Sequence, residues 1–144
     1  MTPHELHPSE APPAWLSRHS PEDWIRRGLG ELARAQDALK SHDRVAGVIG
    51  LRRAAGMALN GALSVSSRDW GRTYIEHLRA VADDSSVPLK VREAAQLLNR
   101  VELDRIPDVV RLTPPSESAR WIEAAKTVMA HAYAVVHGDA GRDR

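Results

Sequence analysis

Apolar residues recur at helical spacing along most of this chain, and no segment alternates in the manner of a strand. Ser20-Pro21-Glu22-Asp23 opens the first helix: Ser20 caps, Pro21 suits the first helical position and Asp23 completes a box-like pattern. Ile25, Leu29, Leu32, Gln36 and Leu39 then form a stripe, with Ala33 beside it. The pairs Glu22–Arg26, Asp23–Arg27 and Arg27–Glu31 mark the other face as solvated. Asp43 caps a second helix from Arg44 to about Val65, the most apolar stretch of the chain. Its Gly47, Gly50, Ala54, Ala58 and Gly61 make a smooth stripe that calls for a closely packed neighbour, from this chain or a twin.

Ser66-Ser67-Arg68 breaks the pattern. Asp69 or Gly71 leads into a third helix with Trp70, Tyr74, Leu78 and Val81 (or Ile75 and Ala82) facing inward. Asp83-Asp84-Ser85-Ser86 ends that helix and caps the next, which starts near Pro88 and carries Val91, Ala94, Ala95, Leu98 and Val101. Glu102 to Pro115 reads as an irregular connection broken by Pro107, Pro114 and Pro115, with Val109, Val110 and Leu112 to bury. Ser116 or Ser118 caps the last helix, and Gly138 stops it after His137. The expected fold is all-α: an up-and-down bundle of four main helices plus one shorter helix, over residues 20–138. Residues 1–19 read as a flexible, proline-rich arm whose Trp15 and Leu16 clip onto the bundle, and residues 139–144 as a polar tail.

Composition narrows the functions. At 144 residues the chain holds one domain with a real core. A net charge of +1 gives no global field toward nucleic acid, so any basic site is local. Arg52 and Arg53 stand mid-way along the apolar second helix, at about +2.5 to +3.5 kcal/mol each in a bilayer centre, which argues against a membrane span. The chain has no cysteine, which excludes disulfides and thiolate chemistry and fits the cytoplasm. The histidines make no HExxH or H-x3-H pattern, so no metal and no cofactor is expected.

The last helix, Ser118 to His137, combines a cation, an imidazole and a phenol in one short segment: Lys126, His131 and Tyr133, spaced K-x4-H-x-Y. The first helix is led by Trp24 and ends in Ala35-Gln36-Asp37-Ala38-Leu39, and a small-residue helix follows a short turn. In these features residues 20–137 resemble the HEPN domains (higher eukaryotes and prokaryotes nucleotide-binding). Catalytic members carry R-x4–6-H in the last helix, and one toxin branch R-x4-H-x-Y. This chain has Lys126 in place of Arg, and Thr127 where Asn or another polar residue is usual. The resemblance implies metal-independent RNA cleavage, with His131 as base toward a 2′-hydroxyl and Lys126 steadying phosphate charge.

Plainer readings stand beside it. Glu123 lies three residues before Lys126 as a surface ion-pair partner, and His131 and Tyr133 can be packing residues. Arg72-Thr73-Tyr74-Ile75-Glu76-His77 also matches R-x4-H, but in the third helix. Arg52, Arg53, Arg72 and His77 are therefore candidate binding residues. Arg53 is the better candidate for a cross-helix salt bridge, to Asp69, Glu93 or Glu123. The leading expectation is a non-catalytic HEPN-like bundle that binds a protein partner, RNA or a nucleotide, and forms a homodimer through the small-residue helix. The alternatives are a divergent HEPN ribonuclease or toxin using Lys126, His131 and Tyr133, and an unrelated scaffold bundle.

Overall fold

One helix, Arg44–Val65, forms the axis against which the others pack, and thirteen of its residues are buried. The computed structural model describes residues 13–103 and 115–138. Among the described residues the fold is all-α, with helices α1 (Ala14–Ser17), α2 (Pro21–Lys40), α3 (Arg44–Val65), α4 (Tyr74–Asp83), α5 (Leu89–Arg100) and α6 (Pro115–Val136). The expected burial of Val109, Val110 and Leu112, residues 1–12 of the arm and the 139–144 tail lie outside the described residues. Trp15 and Leu16 do dock: Leu16 is buried, and its carbonyl accepts a 2.9 Å hydrogen bond from the Trp24 indole.

The small-residue stripe of α3 is covered by α2 of the same chain. A Cβ on Gly50 would stand 2.9 Å from Ala35, and one on Gly61 2.8 Å from the Pro21 carbonyl. From the α2 side, a Cβ on Gly28 would stand 2.9 Å from the Ala54 carbonyl. Close approach also corrects the predicted face of α2. The buried residues are Trp24, Ile25, Gly28, Leu32, Ala35 and Leu39, whereas Leu29 is 53% exposed and Ala33 lies outward. Gly28 and Ala35 have to face α3 for the backbones to meet, and that rotates Leu29 out.

Two caps follow the sequence: the Ser20 side chain accepts from Asp23 N, and Asp43 from Ala46 N. Three do not. Thr73 caps α4 with a full capping box to Glu76, so Trp70 lies in the preceding loop. α5 begins after Pro88 with no side-chain cap, because Asp84 is engaged elsewhere. α6 starts at Pro115, which places Ser116 and Ser118 inside its first turns. The α2–α3 turn is a Schellman-type stop: Asp43 N bonds Ala38 O at 2.8 Å and His42 N bonds Leu39 O at 3.1 Å. The left-handed position (φ 62°) is held by His42 rather than glycine.

Gly28 and Gly61 contact opposite ends of the α6 C-terminal half, at Met129 and Val136, so α6 runs antiparallel to α2. α4 breaks the expected alternation. Its Tyr74 lies against Gly56, and its His77 bonds Asn60, so it advances in the same sense as α3. The 66–73 loop carries the chain back to make this possible. α5 then returns antiparallel, with Asn99 reaching the Ile75 carbonyl at 3.3 Å. No helix among the described residues is long and apolar enough to cross a membrane.

Two substitutions on α2 should separate close packing from helix propensity. Gly28→Ala is expected to lose about 1–3 kcal/mol, because its methyl meets a backbone carbonyl that cannot swing aside. Gly30→Ala, where a Cβ meets nothing nearer than the Arg34 guanidinium at 3.7 Å, is expected to gain about 0.5–1 kcal/mol. His42→Gly should also stabilise, by about 1 kcal/mol, by relieving the left-handed strain. Urea unfolding followed by circular dichroism measures all three.

Candidate functional site

The three residues of the last-helix motif do not converge. Lys126 lies exposed on α6 with its Nζ 3.9 Å from Glu123 Oε2, the pairing expected of a surface lysine. His131, about 140° further round an ideal helix, is half-buried and faces a cleft near the C-terminal end of α6. Tyr133 is 50% exposed, and its ring packs on His137 with centroids 4.1 Å apart. The helix thus sends cation, imidazole and phenol to different surroundings.

The cleft at His131 has a volume of about 420 Å³. Ala62, Val65, Val87 and Val135 give it apolar walls, Trp70 adds an indole, and Ser66, Arg68, Ser86 and His131 supply polar groups. The cation that faces His131 is Arg68, from the break after α3. Arg68 NH1 lies 3.0 Å from Ser86 Oγ and 3.7 Å from Asp84 Oδ2. Asp84 Oδ1 accepts from Ser86 N (2.9 Å) and Ser86 Oγ (2.6 Å), and Oδ2 accepts from Trp70 Nε1 (3.1 Å). The result is a carboxylate anchored from three sides at the mouth of α5. Burial acts to raise the Asp84 pKa, but the Ser86 and Trp70 hydrogen bonds and the Arg68 charge hold it below the ordinary value. Burial lowers the His131 pKa, the Arg68 charge lowers it further, and Asp84 offsets part of the effect. His131 is therefore a neutral imidazole near pH 7.

Arg68, Trp70, Asp84 and Ser86 were missed as a group by the sequence. A signal existed: a tryptophan that is to be buried needs an acceptor for its indole N–H. The Asp-Asp-Ser-Ser run supplied one, but read alone it looked like a helix cap.

The second R-x4-H match is structural on both sides. His77 is fully buried, its Nδ1 2.8 Å from the Trp70 carbonyl and its Nε2 2.7 Å from Asn60 Oδ1. Burial lowers its pKa, against smaller opposing effects of the Trp70 carbonyl and the Glu76 charge. A neutral ring donates through one nitrogen only. With Nδ1–H on the Trp70 carbonyl, the neutral ring is best met by the amide NH₂ of Asn60, and the oxygen faces it when the ring is charged. Arg72 is exposed and stands 5.4 Å above the Trp15 ring, a cation–π contact that holds α1 over the α4 entrance.

Arg52 and Arg53 also have structural partners. Arg52 crosses from α3 to the end of α5, donating to the carbonyls of Leu98 (2.9 Å), Val101 (2.6 Å) and Asn99 (3.4 Å). It neutralises a helix C-terminus. Arg53 makes the cross-helix ion pair that was expected of it, but to Glu31 at 3.3 Å rather than to Asp69, Glu93 or Glu123. Glu31 also holds Arg34, at 2.5 Å. Each of the four residues considered for binding from sequence is thus engaged within the fold: Arg52 by carbonyls of α5, Arg53 by Glu31, Arg72 by the Trp15 ring and His77 by Trp70 and Asn60. Among the described residues no group of His, Asp and Glu is arranged to hold a metal ion.

Comparison of the chain with protein-family models, with curated proteins and with solved structures finds no match in any of the three.

His77 makes a pH prediction. Its folded pKa lies below the ordinary value of 6.5, so its stabilising contacts are fully present above pH 6.5 and are lost as pH falls through the folded value. His77→Leu should be about 1–3 kcal/mol less stable than the parent at pH 8, from the unpaired Trp70 carbonyl and Asn60 amide. That gap should narrow progressively below pH 6.5. Urea denaturation of both proteins from pH 8 to pH 5 tests it, and a constant gap would remove the titration argument.

Proposed function

We propose that this chain is a non-catalytic helical binding module that works through the His131 cleft. The observation that carries this reading is the separation of Lys126 from His131. A nuclease of the kind the motif suggests needs base and cation trained on one phosphate. Here Lys126 pairs with Glu123 on a different face, while His131 lines a cleft of the size that takes a small molecule. The helix order and the Trp-led α2 ending in Ala-x-x-Ala-Leu support a HEPN-type relationship, with its chemistry lost.

Further parts of the reading have their own support. A homodimer cannot use the α3 glycine stripe, because α2 covers it; Val45 and Ile49, exposed one turn apart at the start of α3, offer an apolar face for a second copy or another protein. The lack of cysteine supports a reducing compartment, the cytoplasm among them. One observation favours the nuclease as second reading: His131 does face a cation in the cleft, Arg68 rather than Lys126.

Labelled single-stranded RNA incubated with the protein at high concentration decides between the two. No cleavage is expected, and Lys126→Ala should leave the unfolding free energy within about 0.5 kcal/mol of the parent. Cleavage that disappears in His131→Ala would overturn the binding-module reading.

A further inference from the structure

We propose that the His131 cleft is a binding site for a monocarboxylate with a short apolar body. The inference rests on the binding-module reading and names its ligand class.

The walls suit such a molecule. Val65, Val87 and Val135 offer aliphatic surface, and Trp70 offers the edge of an indole whose N–H is held by Asp84. Its chargeable groups are an arginine and a histidine, with the hydroxyls of Ser66 and Ser86 beside them. An arginine presents a planar fork that matches a carboxylate. About 420 Å³ is ample for a chain of several carbons or one ring.

Charge decides between carboxylate and phosphate. Arg68 brings one positive charge and Asp84, 3.7 Å from it, one negative charge. With His131 neutral the two cancel. No other arginine or lysine lines the cleft among the described residues. A phosphate monoester would set close to two negative charges beside Asp84, against one guanidinium that already bonds Ser86. A single carboxylate asks less. It can take the Arg68 fork, and a proton gained by His131 then balances its charge. The α3 side of the cleft presents Ala62 and Val65 and the loop before α5 presents Ser86 and Val87, so Arg68 from the loop after α3 and His131 from α6 are the charged or titratable groups lining it, with Asp84 paired to Arg68 behind them.

Proton uptake follows. The unliganded His131 titrates below the ordinary histidine value, and a carboxylate beside it raises that value. Between the two, binding takes up a proton, so affinity rises as pH falls.

The test uses the full chain, ¹⁵N-labelled, with hexanoate as probe and hexanol, inorganic phosphate and single-stranded RNA as comparators. Hexanoate is expected to shift the Trp70 indole N–H and the His131 ring signals to saturation, and to bind several-fold tighter at pH 6 than at pH 8. Hexanol, lacking the charge, should bind about tenfold more weakly. His131→Gln should retain the weaker pH 8 binding and lose the pH dependence. Arg68→Lys, with folding checked by thermal melting, should weaken binding about tenfold. If that variant does not fold, Val135→Trp, which fills the cleft from its α6 wall, should abolish the hexanoate shifts with the fold intact. Phosphate or RNA binding in the cleft more tightly than hexanoate would overturn the carboxylate assignment. So would the absence of saturable hexanoate shifts. In either case an RNA assay on the same sample separates the outcomes: without cleavage the module reading stands and only the ligand class falls, and with His131-dependent cleavage the module reading falls too.

Discussion

The close approach of α2 to α3 is the constraint on which the rest of the structure depends. Backbone meets backbone near Gly28, Gly50 and Gly61, where a methyl group would stand within 3 Å of a neighbour. Glycines in a helix interior cost about 1 kcal/mol each in propensity relative to alanine, so the packing has to return more than that. It does so by bringing a long, smooth surface into contact at interior density. The same approach fixes the rotation of α2. Leu29 turns to solvent although its spacing suits the core, and Glu31 turns toward α3, where it meets Arg53.

Because α3 is buried on nearly all sides, each polar group along it has to be answered. Asn60 is answered by His77, and through the Trp70 carbonyl that ring also holds the 66–73 loop. The loop in turn places Trp70 and Arg68 against Asp84 and Ser86. A buried amide in the axial helix thus reaches the cleft through an imidazole, a backbone carbonyl and an indole. Arg52 does similar work at the opposite end, tying α3 to the last carbonyls of α5. These polar links explain why the short α4 can run in the same sense as α3: its position is set by His77 and the Thr73–Glu76 capping box rather than by a long apolar seam.

Helix order, the caps at Ser20 and Asp43, and the apolar stripe of α5 were legible because they depend on local spacing and local hydrogen bonds. The face of α2 was not legible from hydrophobicity, since Gly28 carries no signal of burial and Leu29 carries a false one. The partner of the α3 stripe was open for a related reason: a small-residue stripe states that something packs closely, not which chain supplies it. The cleft was the least legible. Its polar residues come from the break after α3, the end of α4 and the C-terminal half of α6, separated by up to sixty residues or so and brought together only by tertiary structure. His131 was named from its motif, and the cation that shares its cleft is Arg68, which the motif does not contain.

That change of partner alters the chemistry the histidine can do. A lysine on the same helix would have moved with His131 as one rigid unit and been open to solvent, a phosphate clamp beside a base. Arg68 sits instead on a loop braced by Asp84, which cancels its charge at short range while leaving its hydrogen-bonding geometry in place. A cation so neutralised is a poor stabiliser of the charge that builds on a phosphorane-like transition state. It remains a good orienting group for a ligand that brings a single charge and an apolar remainder. On the proposed reading the neutral His131 accepts a proton as the ligand binds, rather than serving as a base that must turn over. The sequence motif and the cleft share one residue, and the local charge balance around that residue is what supports the proposal of recognition over cleavage.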